Sequence, residues 1–292
     1  MKAFTGHWTG PARKYLNQLP IQTVMTTKLT AVFLTAGTSS RFGGKMKFLA
    51  RIGPNNETLL ELSLNQTVFA GFDNFVFVAS EKSLNPLKDE FGTEFKNIPI
   101  SYCIQQTPEY REKPFGTAHA LLSAKESVKS AFIVLNSDDI YGKNTLKSII
   151  DYLKENKGHY CLAGYKAKNV LSKEKSNKGY IKTDDNLFLK SIEEKLGVTI
   201  YDIPSKFKED SFLSLNLFGL QPAFLDYLEE VFKQFIEDKH PSKEFMLPNE
   251  VGDFMKKNLI KVKVIPTDDT QISLTFPEDE EVVRNKLKWQ PS

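Results

Sequence analysis

Apolar residues in the first half of the chain form short continuous runs separated by positions at helical spacing. The first run, at 29–35, ends in the polar, glycine-containing segment 37–45. Three later runs predict strands, at 75–79, 98–104 and 131–136. Between the first run and the run at 75–79, apolar residues four apart predict a helix: Leu60, Leu64 and Val68. Strands alternating with helices are typical of βαβ units, so this half predicts an α/β fold with a doubly wound, mostly parallel sheet.

The second half of the chain has a more mixed pattern. Four strands are predicted, at 159–169, 180–183, 187–193 and 211–219. One helix is predicted by apolar residues at helical spacing between Phe224 and Phe235. We therefore expect a β-rich lobe inserted beside the parallel sheet. The predicted organisation is an N-terminal extension (1–28) and a single domain (29–292) with two halves (29–157 and 158–292).

Composition and charge narrow the function classes. A hydrophobic content of 40% with 26% charged residues allows a substantial core. The net charge is only +3 and the basic residues are dispersed, which argues against nucleic acid as a partner. No run of about 18 apolar residues could cross a bilayer, and the N-terminal segment lacks the apolar core of a signal peptide. We expect no membrane partner and a cytoplasmic location, and the sequence leaves homo-oligomer formation open.

Cysteine and histidine content gives no support for a disulfide framework or a zinc site. Cys103 and Cys161 both lie in apolar runs, which favours reduced, buried thiols. The four histidines show no metal-ligand spacing.

A glycine loop follows the first predicted strand and offers a phosphate site. Small residues at Ala36, Gly37 and Thr38 let backbone N–H groups approach a triphosphate. Arg41 and Lys47 supply positive charge where negative charge develops on the α-phosphate. By itself a glycine turn after a strand is a weak signal, and the loop is neither a P-loop nor a dinucleotide-binding fingerprint.

This loop resembles the signature of the sugar-phosphate nucleotidyltransferase family, and three later segments resemble that family in the same order. The family's loop ends in a lysine, which Lys47 matches better than Lys45. Gln105 and the segment Gly116-Thr117 look like the pair that contacts the nucleobase. Asp138, in the segment 136–142, looks like the aspartate that holds Mg²⁺, and its position just after a strand suits that role. Without the resemblance, Asp138 could equally cap the next helix.

The acceptor side of the resemblance lies in the second half of the chain. Its residues are Gly179, Glu194, Lys195 and Asn216, which resemble family positions that contact the sugar and its phosphate. Near the C-terminus, Asp279 looks like the aspartate that completes the metal site in cytidylyltransferase relatives. Local explanations exist for several of these residues: a solvated charged run around Glu194, an edge-strand position for Asn216, and an acidic helix start at Asp279.

The resemblance implies a GT-A-like nucleotidyltransferase core with an inserted β-rich acceptor lobe, in which 29–157 binds nucleotide and 158–292 binds the acceptor. It implies a Mg²⁺-dependent enzyme that joins a nucleoside monophosphate from an NTP (UTP, CTP or dTTP) to a phosphorylated small molecule, with a sugar 1-phosphate favoured. Three alternatives stay open at this point. They are cytidylyl transfer to a phosphocholine-like or polyol phosphate, a regulator that binds nucleotide sugar without turnover, and a glycosyltransferase of the same topology.

Overall fold

The structure is a computed structural model that describes residues 28–37, 46–203, 205–237, 239–258, 260–274 and 279–288. The predicted extension at 1–28 lies outside these ranges except for its last residue. Thirteen strands are present in the described ranges: β1 (Thr30–Leu34), β2 (Asn74–Ala79), β3 (Glu94–Phe95), β4 (Ile98–Ile104), β5 (Phe132–Asn136), β6 (Asp139–Ile140), β7 (Tyr160–Lys166), β8 (Ser176–Thr183), β9 (Leu189–Val198), β10 (Phe212–Ser214), β11 (Phe218–Leu220), β12 (Val262–Thr267) and β13 (Ile272–Ser273).

The same ranges contain eight α-helices. They are α1 (Leu59–Ala70), α2 (Glu81–Phe91), α3 (Thr117–Leu122), α4 (Lys143–Glu155), α5 (Ala167–Val170), α6 (Pro222–Phe235), α7 (Leu247–Asn258) and α8 (Asp279–Lys288). Local signals set their limits. Thr58 and Glu61 form a capping box at the start of α1, and Gly71, at φ 92°, ends that helix in the left-handed conformation that glycine tolerates best.

One large mixed sheet runs through the described residues. Its parallel part has the order β4-β2-β1-β5, and β11 and β7 continue it in antiparallel pairing. The strand β7 also pairs in parallel with β12, along the edge opposite to β10 and β11. The strands predicted at 75–79 and 98–104 are therefore confirmed, and so is the α/β fold with a mostly parallel central sheet.

Alternate residues of each central strand enter two different cores, because successive side chains point to opposite faces of a sheet. Ala31 and Phe33 pack in a cluster with α1, α2 and α4 on one face. Val32 packs in a second cluster with α3, α6 and α7 on the other face. Burial on both faces explains why β1 is a continuous apolar run rather than an alternating one.

The β-rich lobe joins the central sheet at a bend in the antiparallel segment 212–220. This segment contains β11, which pairs with β5 and β7, and β10, which pairs with β7 and β8. Asn216 lies in the bend at φ 62°, a left-handed conformation that asparagine adopts more readily than most residues. The bend carries the chain from β10, beside the ribbon of β8 and β9, to β11 in the central sheet, and a cleft lies between the ribbon and that sheet.

Candidate active site

A cleft of about 490 Å³ lies between the carboxyl end of β5 and the β8–β9 ribbon. Residues from both halves of the chain line it, including Lys47, Asn136, Asp138, Lys178, Gly179, Glu194, Asn216 and Gln271. Hydrogen bonds hold the neighbouring strand ends in register: the hydroxyl of Ser137 donates to the carbonyl of Leu34 at 2.9 Å, and that of Thr35 donates to the carbonyl of Val78 at 2.8 Å. The ends of β1, β2 and β5 therefore meet at one edge.

Two adjacent aspartates after β5 have different surroundings. Asp139 is 6% exposed and accepts hydrogen bonds from Asn136 at 3.0 Å and from Gln271. The Asp138 side chain is 38% exposed, lines the cleft, and lies 3.7 Å from the ammonium of Lys47. Protein packed around the rest of the Asp138 carboxyl raises its pKa to about 6, and Asp139 adds to the rise while Lys47 opposes it. Asp138 is thus the carboxylate available to a ligand.

Lys47 begins a short 3-10 turn, Lys47–Leu49, that the buried ring of Phe48 anchors in the core. Upstream of this turn, the structure describes Ala36, which is buried, and Gly37, which is exposed. The predicted residues Thr38 and Arg41, and the rival lysine Lys45, lie outside the described residues.

Gln105, Gly116 and Thr117 come together after β4. The amide nitrogen of Gln105 donates to the carbonyl of Gly116 at 3.0 Å. Gly116 has φ 119°, and a Cβ there would lie 2.7 Å from the carbonyl oxygen of Phe245, so glycine is required on two counts. The hydroxyl of Thr117 accepts from the amide of Leu247 at 3.0 Å, which fixes the start of α3. In the order β4-β2-β1-β5 these residues stand three strand spacings, about 14 Å, from the end of β5.

The predicted acceptor residues divide into those that line the cleft and one that does not. Gly179 on β8 is paired with Glu194 on β9, and both line the cleft with Asn216. A Cβ on Gly179 would lie 2.9 Å from the side chain of Ile192. Burial raises the pKa of Glu194, and Lys178 opposes the rise. Lys195 instead places its ammonium 3.1 Å from the carboxylate of Glu193, outside the cleft lining.

Sequence reasoning missed several residues that line the cleft, and Lys178 and Gln271 are two of them that join its parts by hydrogen bonds. The ammonium of Lys178 donates to the side-chain oxygen of Gln271 at 2.9 Å, and the amide nitrogen of Gln271 donates to Asp139. Burial lowers the pKa of Lys178, while Asp139 and Glu194 act in the opposite direction. Lys178 could have been suspected because it precedes Gly179. Gln271 carried no signal, since it is 132 residues from the aspartate it contacts.

A metal would find a limited set of ligands here. Within the described residues, no three His, Cys, Asp or Glu side chains are grouped closely enough to hold a metal ion. Mg²⁺ commonly takes only one or two carboxylates and fills the rest of its shell with phosphate oxygens and water, so a single open carboxylate such as Asp138 fits it. Asp279 begins α8 and directly follows residues 275–278, which lie outside the described residues. Its convergence with Asp138 stays a prediction.

A comparison with family models gives one match: the model described as nucleotidyl transferase matches residues 45–248, more than half of the chain. No curated protein matches the chain. The helices in the described ranges also lack the length and apolar character needed to cross a membrane.

Solved structures with similar folds include three that align over most of the chain. A candidate glucose-1-phosphate thymidylyltransferase from Bacillus anthracis, in complex with sucrose, has 12% identity and a TM-score of 0.68 over 90% of this chain and 97% of its own. The inositol-1-phosphate CTP transferase from T. maritima has 14% identity and a TM-score of 0.61 over 91% and 98%. HddC from Yersinia pseudotuberculosis, complexed with GMP-PN, has 17% identity and a TM-score of 0.59 over 88% and 98%. At these identities the likeness concerns the fold.

Proposed function

Because the chain belongs to the nucleotidyl transferase family, as its motifs indicated, we propose that it transfers a nucleoside monophosphate from an NTP to a sugar 1-phosphate. The products are pyrophosphate and an NDP-sugar. The observation that carries the proposal is the pair of Lys47 and Asp138, which faces a cleft walled on its other side by Gly179 and Glu194. A cation and an open carboxylate thus stand between the two predicted binding regions, where the nucleotidyl group would be transferred.

The nucleotide side of the reaction falls to residues at the carboxyl ends of parallel strands. Gln105 and Gly116-Thr117 would hold the base, and the backbone at Ala36, Gly37 and Thr38 would contact the phosphates. The span of about 14 Å from Gln105 to the end of β5 suits an extended nucleoside triphosphate. Lys47 and Arg41 would stabilise the charge that develops on the α-phosphate during attack.

The acceptor side falls to residues of the β8–β9 ribbon and the bend. A side chain at Gly179 would collide with Ile192 and Ser214, so glycine allows β8 to pack closely against its neighbours where it lines the cleft, and an acceptor would contact the β8 backbone there. Glu194 and Asn216 would contact its hydroxyl groups, and Lys178 would supply positive charge for its phosphate. Lys195 would add to that charge only if its ammonium left the carboxylate of Glu193. The attacking phosphate oxygen is already ionised at neutral pH, so these residues need only position it and no general base is required.

Asp138, with Asp279 as its expected partner, would hold Mg²⁺ at this site. The ion would neutralise phosphate charge during the in-line displacement. Asp138 itself holds a defined place through the register of β5, which Ser137 ties to the end of β1. The division into a nucleotide half (29–157) and an acceptor half (158–292) is part of this proposal, as is a cytoplasmic location, where NTPs are supplied.

Measurement of pyrophosphate release tests the proposal. UTP, CTP, dTTP, GTP and ATP would each be combined with a panel of sugar 1-phosphates, phosphocholine and polyol phosphates, with and without chelator. We expect turnover with at least one sugar 1-phosphate, lost when chelator is in excess. Turnover confined to CTP with phosphocholine or a polyol phosphate would show that the acceptor is not a sugar 1-phosphate. Binding of nucleotide sugar with no turnover for any pair would indicate a regulator.

A further inference from the structure

His119 follows Thr117 by two residues and contacts Gln105, the base-binding glutamine of the proposed site. Its ring nitrogen Nδ1 lies 3.2 Å from the amide nitrogen of Gln105. That same amide nitrogen lies 3.0 Å from the carbonyl oxygen of Gly116. A backbone carbonyl can only accept a hydrogen bond, so the Gln105 side chain must turn its NH₂ group, and not its oxygen, toward Gly116. The orientation of the amide therefore follows from the chemistry of its neighbours.

The His119 ring is held so that it accepts the second hydrogen of that NH₂ group. Phe232 stacks on the ring with centroids 4.5 Å apart and an interplanar angle of 20°, and Phe115 packs edge-on at 5.1 Å. Burial, with a smaller contribution from the guanidinium of Arg111, lowers the pKa of His119 to about 4. At neutral pH the ring is uncharged, and Nδ1 is then an acceptor with the proton on Nε2.

With both amide hydrogens engaged, the oxygen Oε1 is the Gln105 atom left for a ligand, and no donor in the described part of the chain contacts it. An oxygen can only accept. Uracil, thymine and guanine carry a hydrogen on the ring nitrogen of their pairing edge, beside a carbonyl, whereas cytosine and adenine present a bare acceptor nitrogen there. An oxygen that faces this nitrogen attracts the first group of bases and repels the second.

We propose that His119 is a positioning residue that locks the Gln105 amide and thereby makes the site selective for NTPs whose base carries a ring N–H beside a carbonyl. The inference rests on the proposed function, because it takes Gln105 to be the base-reading residue. It deepens that function by assigning the base class to UTP, dTTP or GTP, in preference to CTP and ATP.

Two substitutions separate positioning from packing. His119→Phe keeps an aromatic ring against Phe232 and Phe115 but removes the acceptor, so Gln105 can rotate and present either end. His119→Gln restores an acceptor without the ring. Binding constants for UTP, dTTP, GTP, CTP and ATP would be measured by calorimetry for the wild type and both variants, and kcat and KM for each NTP that turns over. Thermal unfolding would check the fold, with His119→Leu as a second acceptor-free variant if His119→Phe does not fold.

The wild type should prefer one of UTP, dTTP and GTP over both CTP and ATP by at least about tenfold, the scale of one hydrogen bond. His119→Phe should reduce that ratio to about threefold or less, mainly through KM and the binding constant, and His119→Gln should restore most of it. A wild-type preference for CTP or ATP, or an unchanged ratio in folded His119→Phe and His119→Leu, would overturn the inference. Base-selective binding without pyrophosphate release would count against the proposed function and leave the role of His119 intact.

Discussion

The two walls of the cleft are built in different ways. On the proposed nucleotide wall, Asp138 lines the cleft just after the parallel strand β5, and Ala36 and Gln105 stand at the same edge of the sheet just after β1 and β4. On the acceptor wall, residues come from the antiparallel ribbon, from the bend at Asn216 and from Gln271, which lies just before β13. Parallel pairing alone places the carboxyl ends of the strands at one edge of the sheet. The acceptor wall depends in addition on a bend and on contacts between distant segments. The nucleotide wall is thus a property of the core fold, and the acceptor wall is where specificity can change without altering that core.

The sharpest test of the nucleotide wall is removal of its charged pair. Asp138→Asn and Lys47→Ala should each lower kcat by ~100–1000-fold, because each removes a preorganised charge beside the reacting phosphate. The fold should survive, since both side chains line the cleft rather than a core. Steady-state pyrophosphate release, with circular dichroism as the check on folding, measures this.

The double variant of Lys47 and Asp138 sharpens that result. If the two groups act as a unit across their 3.7 Å separation, the double variant should be little worse than either single one. Full activity in Lys47→Ala would mean that Lys45, or no lysine of this loop, stabilises the charge on the α-phosphate. If the two single effects multiply in the double variant, the lysine and the aspartate act independently.

The acceptor wall is tested by a matched pair of lysines. Lys178 is half-buried in the cleft lining, and Lys195 lies opposite it in the pairing of β8 with β9 but contacts Glu193. Lys178→Met should raise the acceptor KM by at least about tenfold, because a desolvated charge contributes more to anion binding than an exposed one. Lys195→Met should have a smaller effect. NTP affinity should be unchanged in both, as measured by calorimetry with each NTP alone.

A larger effect of Lys195→Met would restore that residue as the principal contact for the acceptor phosphate. Loss of NTP binding in either variant would contradict the division of the cleft into two walls.

Sequence patterns predicted the nucleotide wall better than the acceptor wall, for a physical reason. The runs around Phe33, Phe77 and Val134 are continuous because their strands are buried on both faces, so both the strands and the positions just beyond them were readable. The acceptor wall has no such signature. The split of the segment 211–219 into β10 and β11 depends on a left-handed asparagine, and the link from Gln271 to Asp139 depends on the pairing of β13 with β6. Such contacts between distant residues leave no local pattern.

The two walls are joined by Tyr141, which is fully buried. Its hydroxyl accepts from the amide of Asn136, at the end of β5, at 2.8 Å and donates to the carbonyl of Leu215, in the bend, at 3.1 Å. Tyr141→Phe would leave both groups without this partner, so the free energy of unfolding should fall by about 1–3 kcal/mol. Urea denaturation measures the loss, and Tyr227→Phe is the control because its hydroxyl makes a longer bond, 3.4 Å, to Glu250. Equal losses in the two variants would deny Tyr141 a joining role.

The last expected effect, similar in size to that of Tyr141→Phe, is a loss of stability at low pH when His119 gains a proton. Its pKa is about 4 in the folded protein and 6.5 in an unfolded chain, so between these values the unfolded state binds more protons than the folded state. The contribution of His119 to stability is therefore complete above pH 6.5 and is lost as the pH falls toward 4. The ring is partly exposed, so solvent reduces the expected loss to about 2 kcal/mol.

The titration of Asp138 changes stability in the opposite direction between pH 4 and 6, because its pKa is raised on folding. A comparison with a variant is therefore needed to isolate the contribution of His119. The free energy of unfolding of His119→Phe should fall less between pH 7 and pH 5 than that of the wild type, whereas His159→Phe, at an exposed position, should follow the wild type. Parallel curves for His119→Phe and the wild type would mean that His119 takes up its proton as easily in the folded protein as in the unfolded chain.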